Sequence, residues 1–207
     1  MKKELKVCPA IFPMPVILIA TYNDDGSVDV MNAAWGCAYD FKQIELNISD
    51  EHRSTENIRK RKAFSVSLAN VDNMVPADYV GMVSAKQVKD KFEKTKWKTH
   101  KSEVVDAPIL DDLPYSMECT LECFKEDYGI IGNVVRLLVD EKYLDEQGRV
   151  DLAKMRIISY DPFNHGYYVV GEKVGQAFFE GRKLMKWSQT STKKENSTLL
   201  KYLTTFL

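Results

Sequence analysis

Residues 16–37 contain two apolar stretches joined by a sequence typical of a turn. Val16–Thr21 is β-branched and apolar on both faces, which is typical of a strand covered on both sides. Asn23–Gly26 predicts the turn, because Gly26 can adopt the positive φ angle that such turns need. Val28–Cys37 then returns as the partner strand. This order indicates a β-meander and not a βαβ unit.

Further strands follow along the chain. Alternation of apolar and polar residues, or short β-branched runs, predict them at Ile44–Ile48, Phe64–Leu68, Met117–Cys123, Val134–Val139 and Tyr167–Val170. About six antiparallel strands result, with two or three helices inserted among them. Since closure removes exposed sheet edges, we predict a mainly β fold that closes as a barrel.

The inserted helices are marked by caps and charges. One is expected to begin at Ser54 or Thr55, either of which can cap it, and to end at the basic residues Arg59–Lys62. A second is expected over Met74–Lys98, with Pro76 near its start. A loop is expected over 108–114, ahead of the Met117 strand.

Charge and apolar content exclude several classes of protein. The 29 basic and 30 acidic residues give a net charge of -1, which argues against a dedicated nucleic-acid binder. No apolar run approaches the roughly 18 residues of a membrane span. Lys2 and Lys3 are followed by Glu4, which breaks the apolar stretch of an export signal. We therefore predict a cytoplasmic protein that binds neither nucleic acid nor membrane.

The local charge is less even. Seven lysines and two acidic residues lie between Lys86 and Lys101. This excess fits either a nucleic-acid groove or a hydrated helix face near a small anionic ligand. The balanced total charge favours the small anion.

Cysteine spacing gives no sign of disulfides or metal. Cys119 and Cys123 are about 13 Å apart on a strand, beyond the reach of a disulfide or a shared metal ion. Both are expected to be buried thiols. Cys8 and Cys37 show no metal-ligand spacing, and no metal site is predicted.

Common catalytic motifs are missing from the sequence. It has no Gly-rich dinucleotide fingerprint, no Walker loop and no G-x-S-x-G nucleophile elbow. His52, His100 and His165 are far apart, and no carboxylate pair stands out. On motifs alone, the chain is a mainly β, ligand-binding protein.

Four segments in one order carry a resemblance. They are T-Y-N-D-D-G-S-V-D-V-M-N-A-A-W from Thr21, S-D-E-H-R-S-T-E-N-I from Ser49, A-D-Y-V-G-M-V-S from Ala77 and D-K-F-E-K-T from Asp90. Together they resemble the flavin reductase-like, FMN-binding split-barrel family, and within it the flavoredoxin branch. The resemblance covers about residues 13–181. We therefore expect a split-barrel domain over 1–181 and a C-terminal arm or helix over 182–207.

The resemblance implies an antiparallel, Greek-key-like split β-barrel that forms a homodimer and binds FMN near the subunit interface. It also implies electron transfer, with NADH or NADPH as reductant and an unknown electron acceptor as partner. The positions that match the family's FMN-binding segments are Asn32, Ala33, Ala34, Trp35, Ser49, Arg53, Ser54, Thr55, Ser84, Lys91 and Phe163.

Each of these roles has a plainer alternative. Ser54 and Thr55 can donate hydroxyls to a phosphate beside Arg53, or they can only cap a helix. Trp35 can shield a flavin face or fill the core. Lys91 can stabilise reduced flavin, or it is one more solvated lysine.

Two positions depart from the family or stay open. Residues 128–132 lack a histidine that some relatives place before this strand. Cys37, just after the flavin-contacting segment, is more simply a packed thiol than a redox group.

The function that follows is an FMN-dependent NAD(P)H oxidoreductase without an assigned catalytic side chain. Its alternatives are an electron carrier that has no nicotinamide site and a non-catalytic split barrel that binds another ligand.

Overall fold

The computed structural model describes residues 1–126 and 129–184. Strands dominate it: β1 (Met14–Pro15), β2 (Ile17–Tyr22), β3 (Val28–Ala33), β4 (Gly36–Asp40), β5 (Gln43–Asn47), β6 (Ala63–Leu68), β7 (Thr99–Lys101), β8 (Pro108–Leu110), β9 (Tyr115–Phe124), β10 (Gly129–Val139), β11 (Ile158–Tyr160) and β12 (Tyr167–Val169). The α-helices are α1 (Arg53–Arg61), α2 (Met74–Met82) and α3 (Leu152–Met155). Short 3-10 turns occur at Val71–Asn73, Glu93–Thr95, Glu141–Tyr143 and Glu180–Leu184.

A curled seven-stranded sheet organises the fold. Its strand order is β3-β2-β6-β9-β10-β5-β4, and every neighbouring pair is antiparallel. A three-stranded sheet, β1-β11-β12, and a two-stranded sheet, β7-β8, accompany it. The prediction of a mainly β, antiparallel fold with inserted helices is confirmed. The strands are more numerous than expected, because several have only two or three residues.

Strand β2 lies between two hydrophobic clusters. Leu18 and Ala20 belong to one cluster, whereas Ile17 and Ile19 belong to the other. All four side chains are buried, so the prediction from Val16–Thr21 of a strand covered on both sides is confirmed. Gly26 adopts a φ of 83° in the predicted turn.

The predicted strand Val28–Cys37 is wrong in its second half. The chain leaves β3 after Ala33 and re-enters the sheet at Gly36 as β4, which pairs with β5 at the sheet's edge. A Cβ atom at Gly36 would lie 2.6 Å from Ile17 Cδ1 and 3.0 Å from the Glu45 carbonyl oxygen. At Gly36 the chain passes so close to Ile17 and Glu45 that only glycine fits without a shift of these neighbours. Ala34 and Trp35 form the break between β3 and β4.

Helix α2 ends 16 residues before the predicted boundary at Lys98, since its last residue is Met82. Val83 is extended, and Ser84 supplies local acceptors instead of a helical turn. Its side-chain oxygen accepts from the Lys86 N–H, and its carbonyl accepts from the Gln87 N–H. Such local hydrogen bonds compete with helix continuation.

Three smaller predictions also need correction. The expected loop over 108–114 contains strand β8, which pairs with β7. Cys119 is buried as expected, but Cys123 is exposed, and Cys37 is exposed and not packed as expected. Burial raises the pKa of the Cys119 thiol to about 12.

The chain divides into two compact units, residues 1–171 and 172–207. Of the second unit, only residues 172–184 are described, including the 3-10 turn at Glu180–Leu184. The predicted arm or helix over 182–207 lies mostly outside the described residues, and Tyr128 of the stretch without a histidine does too. The boundary at 181 stays a prediction.

Candidate functional site

Helix α1 begins with open backbone donors. His52 is its N-cap and contributes no side-chain cap. Among the described residues, the N–H groups of Arg53, Ser54 and Thr55 have no acceptor, whereas the Glu56 N–H bonds to the His52 carbonyl. Free N–H groups and the helix dipole together favour an anion at this end.

The hydroxyls of Ser54 and Thr55 are directed to other groups. Ser54 Oγ donates to Asp29 Oδ2 at 2.6 Å, and Thr55 Oγ1 donates to the Ser49 carbonyl at 2.8 Å. Both side chains are buried in the first turn of α1, so the prediction that either residue caps the helix is wrong. Since both protons are already donated, we assign any anion contact here to backbone amides and not to these hydroxyls.

Lys91 is a buried cation next to this helix end. Its side chain is 5% exposed, and no carboxylate of the described residues lies within ion-pair distance of it. Burial lowers the pKa of its ammonium group, and the nearby Asp29 charge partly opposes this. The alternative of a solvated lysine is therefore wrong. A largely buried lysine whose ammonium group has no bonded partner and still reaches solvent is a candidate anion ligand.

Asp29, on β3, is the counter-charge that the sequence analysis missed. It is 3% exposed, and burial raises its pKa, while Ser54, Lys91 and Arg53 lower it. An acid between Val28 and Val30 in a buried strand was the signal that could have revealed it, because carboxylates are seldom buried without a partner.

We call the cavity beside this pair the inner groove. It has a volume of about 210 Å³, and its lining includes Asp29, Asn32, Arg53, Ser54, Ser84 and Lys91. Five of the predicted site residues, Asn32, Arg53, Ser54, Ser84 and Lys91, thus meet in one cavity, although they come from four separate sequence motifs.

Asn32, on β3, lines the inner groove and contacts helix α2. Its Nδ2 donates to the Ala77 carbonyl of α2 at 2.9 Å. A Cβ at Gly81 would lie 3.2 Å from the Asn32 Cβ, so α2 packs closely on this side chain. The amide nitrogen is thereby fixed, and Asn32 Oδ1 faces no donor among residues 1–126 and 129–184.

A second cavity, the outer groove, continues from the inner one. It has a volume of about 340 Å³ and is lined in part by Asn23, Asp25, Ser27, Lys86, Lys89 and Phe92. It shares the walls Asp29, Arg53, Ala85 and Lys91 with the inner groove.

Arg53 stands at the rim of both grooves. Its guanidinium pairs with Glu56 at 3.0 Å, and Glu56 also pairs with Lys86 at 2.6 Å. The carboxylate therefore holds two cations at the groove edge. Arg53 and Glu56 remain 36% exposed, so the arginine can still meet a ligand from solvent.

A third cavity, the aromatic pocket, lies on the far side of Asn32. Val16, Asn32, Ala34, Tyr160 and Tyr167 line its volume of about 190 Å³. Tyr167 donates from its hydroxyl to Asp78 Oδ1 at 2.6 Å, which ties β12 to α2. Burial, together with Asp78, raises the pKa of Tyr167.

The remaining predicted residues lie outside these three cavities. Ala33 packs on the second hydrophobic cluster, and Ser49 and Thr55 bond to each other behind the helix end. Trp35 is 59% exposed and Phe163 is 51% exposed. The alternative in which Trp35 fills the core is therefore wrong. The binding roles of these residues stay predictions.

The arrangement is suited to a phosphorylated, flat ligand. The end of the inner groove that carries the α1 amides, Arg53 and Lys91 suits a phosphate, and the aromatic pocket suits a flat ring. Within the described residues, no group of three or more His, Cys, Asp or Glu side chains is placed to hold a metal ion. Nor does that part of the chain contain a helix long and apolar enough to span a membrane.

Comparison with known proteins agrees with this geometry. The sequence profile of the flavin reductase-like domain matches residues 10–153. The chain belongs to the flavin reductase-like family. No curated protein sequence matches it. The predicted split-barrel fold is confirmed by solved structures of the same fold.

Flavoredoxin of Desulfovibrio vulgaris (Miyazaki F) superposes with a TM-score of 0.84 at 30% identity, covering 87% of this chain and 100% of that one. Flavoredoxin from Methanosarcina acetivorans gives 0.78 at 24% identity, covering 89% and 100%. An FMN-binding domain of a flavin reductases-like enzyme from Shewanella baltica OS155 gives 0.70 at 20% identity, covering 78% and 88%. This flavin reductase-like chain falls in the flavoredoxin branch, with a flavin-related redox role.

Proposed function

We propose that the protein is an FMN-dependent oxidoreductase that takes electrons from NADH or NADPH. The observation that carries the proposal is Lys91, a largely buried residue whose unpaired ammonium group lines the inner groove beside the open N-terminus of α1. A phosphate dianion supplies the missing partner of both groups. When bound, FMN supplies two-electron redox chemistry through its flavin ring.

The residues of the chain divide into two roles toward this cofactor. The α1 amides, Arg53 and Lys91 bind the phosphate, and Asn32 and Ala34 border the space left for the ring. Ala34 offers little side-chain bulk, so a flat ring can approach the backbone. Asn32 Oδ1 offers an acceptor to a ring N–H, since its Nδ2 is held by Ala77.

The proposal includes a homodimer. Trp35 is exposed directly beside Ala34 of the aromatic pocket, and the edge strand β4 presents exposed Tyr39 and Cys37. A second copy would cover these groups and enclose the open side of the pocket. Sedimentation equilibrium of the full chain tests this, and a monomer at all concentrations would contradict it.

We also infer a cytoplasmic location and an unidentified electron acceptor as partner. The four cysteines, all free thiols, suit a reducing compartment. The even charge balance gives no reason to expect a nucleic-acid partner.

The test begins with flavin analysis of the purified, denatured protein and FMN titration of the apoprotein. Anaerobic stopped-flow mixing of the FMN-loaded protein with NADH and with NADPH follows, with bleaching of oxidised flavin as readout. Bleaching by either nucleotide supports the proposal. FMN binding without bleaching would make the protein an electron carrier, and absence of FMN binding would leave a non-catalytic barrel.

A further inference from the structure

We infer that Tyr160 and His165 relay protons from solvent into the aromatic pocket, and that the electron acceptor is a quinone, which takes up protons together with electrons. This inference rests on the proposed function, because FMN supplies the electrons. It starts from a hydrogen bond between the Tyr160 hydroxyl and Nδ1 of His165 at the wall of that pocket. Both residues lie outside residues 10–153, the part of the chain that matches the family profile.

The turn between β11 and β12 fixes this pair in place. The buried Asp161 carboxylate accepts from the Phe163 N–H at 2.8 Å and from Asn164 Nδ2 at 3.1 Å. The Asp161 carbonyl accepts from the His165 N–H at 2.9 Å. His165 has a φ of 59°, in the left-handed region that residues other than glycine adopt at a cost in energy. The turn therefore maintains an unfavourable backbone angle at the residue whose ring meets Tyr160.

The pair connects the pocket with solvent. Tyr160 lines the pocket, is half-buried and packs against the hydrophobic core, whereas His165 is exposed. An imidazole takes up and releases protons near neutral pH. His165 can therefore draw protons from water and pass them through Nδ1 to the phenol.

The second tyrosine of the pocket is not placed to do this. Tyr167 donates its hydroxyl proton to Asp78 Oδ1 at 2.6 Å, and burial together with Asp78 raises the pKa of Tyr167. Asp161 is occupied by its own turn, and Asp78 is occupied by Tyr167. Among the described groups around the pair, His165 is thus the one that can restore a proton to the pocket wall.

The chemistry of the relay selects the class of acceptor. A one-electron metal complex takes up no proton and has no need of a phenol donor. A quinone is flat and uncharged, which suits walls made of Val16, Ala34 and two tyrosines. Its reduction to a hydroquinone takes one proton and one hydride, which carries both electrons from reduced FMN and leaves FMN oxidised. The proton leaves the Tyr160 hydroxyl as the new O–H bond forms, and the Nδ1–H of His165 replaces it.

The experiment compares two acceptors of electrons from the reduced protein. The full-length protein is loaded with FMN, reduced anaerobically with a stoichiometric amount of dithionite, and mixed by stopped flow with duroquinone or with ferricyanide, which needs no proton. Tyr160→Phe is expected to slow oxidation by the quinone about 100-fold and to change the ferricyanide rate less than about twofold. Tyr168→Phe is the control, because Tyr168 lies on β12 but does not line the pocket.

His165→Asn tests the supply of protons. Asparagine tolerates the positive φ and keeps a side-chain hydrogen bond, but it does not ionise. The wild-type rate with duroquinone should fall from about pH 6 to about pH 8, because less imidazole then carries a proton. The His165→Asn rate should be about tenfold lower near the acid end of this range and independent of pH. In the apoprotein, Tyr160→Phe should shift the ¹⁵N NMR signal of His165 Nδ1, whereas Tyr168→Phe should not.

Several results would overturn the relay while leaving the proposed function standing. One is equal slowing of both acceptors by Tyr160→Phe, which would make Tyr160 only a wall of the ring site. Others are an unchanged quinone rate in that variant, an unchanged pH profile in His165→Asn, and a wild-type protein that ferricyanide oxidises and duroquinone does not. Failure of the protein to bind FMN would instead refute the proposed function itself.

Discussion

Replacing Lys91 with methionine removes one charge from the inner groove at nearly constant side-chain volume. A hydrogen bond from a charged group contributes about 1.5–3 kcal/mol, and Lys91 has no described hydrogen-bond partner to retain it for the protein. We therefore expect Lys91→Met to weaken FMN binding by roughly 10- to 150-fold. Titration of the apoprotein by flavin fluorescence quenching measures the change.

The same substitution is expected to stabilise the protein without ligand. Removal of the Lys91 charge relieves its desolvation penalty, but it also leaves the buried Asp29 without its nearby cation. Because these two effects oppose each other, we expect a net gain of only about 1 kcal/mol in urea denaturation. Loss of affinity together with gain of stability separates a binding lysine from a structural one.

The stability gain has a defined pH dependence. Because burial lowers the pKa of Lys91 below 10.5, the unfolded chain keeps this proton to a higher pH than the folded one. The desolvation penalty of the Lys91 charge is fully present below the pKa that Lys91 has in the folded protein. It is relieved as the pH rises from there toward 10.5. The advantage of Lys91→Met should therefore shrink at alkaline pH. Unchanged FMN affinity in Lys91→Met, with Lys98→Met as the exposed control, would refute the assignment.

Three further predictions concern the scaffold. Gly132→Ala would place a Cβ 2.5 Å from Phe64 Cζ and should cost about 1–3 kcal/mol in urea denaturation, whereas Gly171→Ala, with open space around it, should be neutral. Arg136→Ala leaves the fully buried Glu118 without its ion-pair partner at 2.8 Å and should lower the free energy of unfolding by about 3 kcal/mol. Arg149→Ala, at an exposed ion pair, is the control and should cost under about 1 kcal/mol. Equal losses in the two variants would contradict this prediction. Cys119→Ala should leave the number of thiols titrated in native protein unchanged and lower it by one after unfolding; a lower native count would mean that Cys119 is accessible.

Local patterns predicted the strands well. The doubly apolar run at Val16–Thr21 and the alternation at Phe64–Leu68 depend on burial alone, and both segments form strands of the central sheet. The break at Gly36 was not predictable, because it depends on how closely the chain passes Ile17, a residue far from it in sequence. The early end of α2 came from hydrogen bonds of Ser84 that compete with the helix.

The candidate site was only partly accessible from sequence. Motif order brought Arg53, Ser84 and Lys91 into one prediction, and the structure places them around one cavity. The orientation of the Ser54 hydroxyl depends on Asp29, which lies in the first motif but was not among the predicted site residues. Burial of Lys91 is likewise a tertiary effect, since the sequence around it has the composition of a hydrated surface.

The pairing of β4 with β5 is irregular between Ala38 and Asp40, on a strand at the margin of the central sheet. An outermost strand that hydrogen-bonds evenly along its length can recruit another chain, and that chain can recruit a third. The irregular pairing, together with the charged side chains of Asp40 and Lys42, interrupts the regular row of backbone groups along which another strand could pair. The exposed aromatic side chain of Tyr39 on this strand can thus remain at the surface without the strand offering a regular template for fibrils.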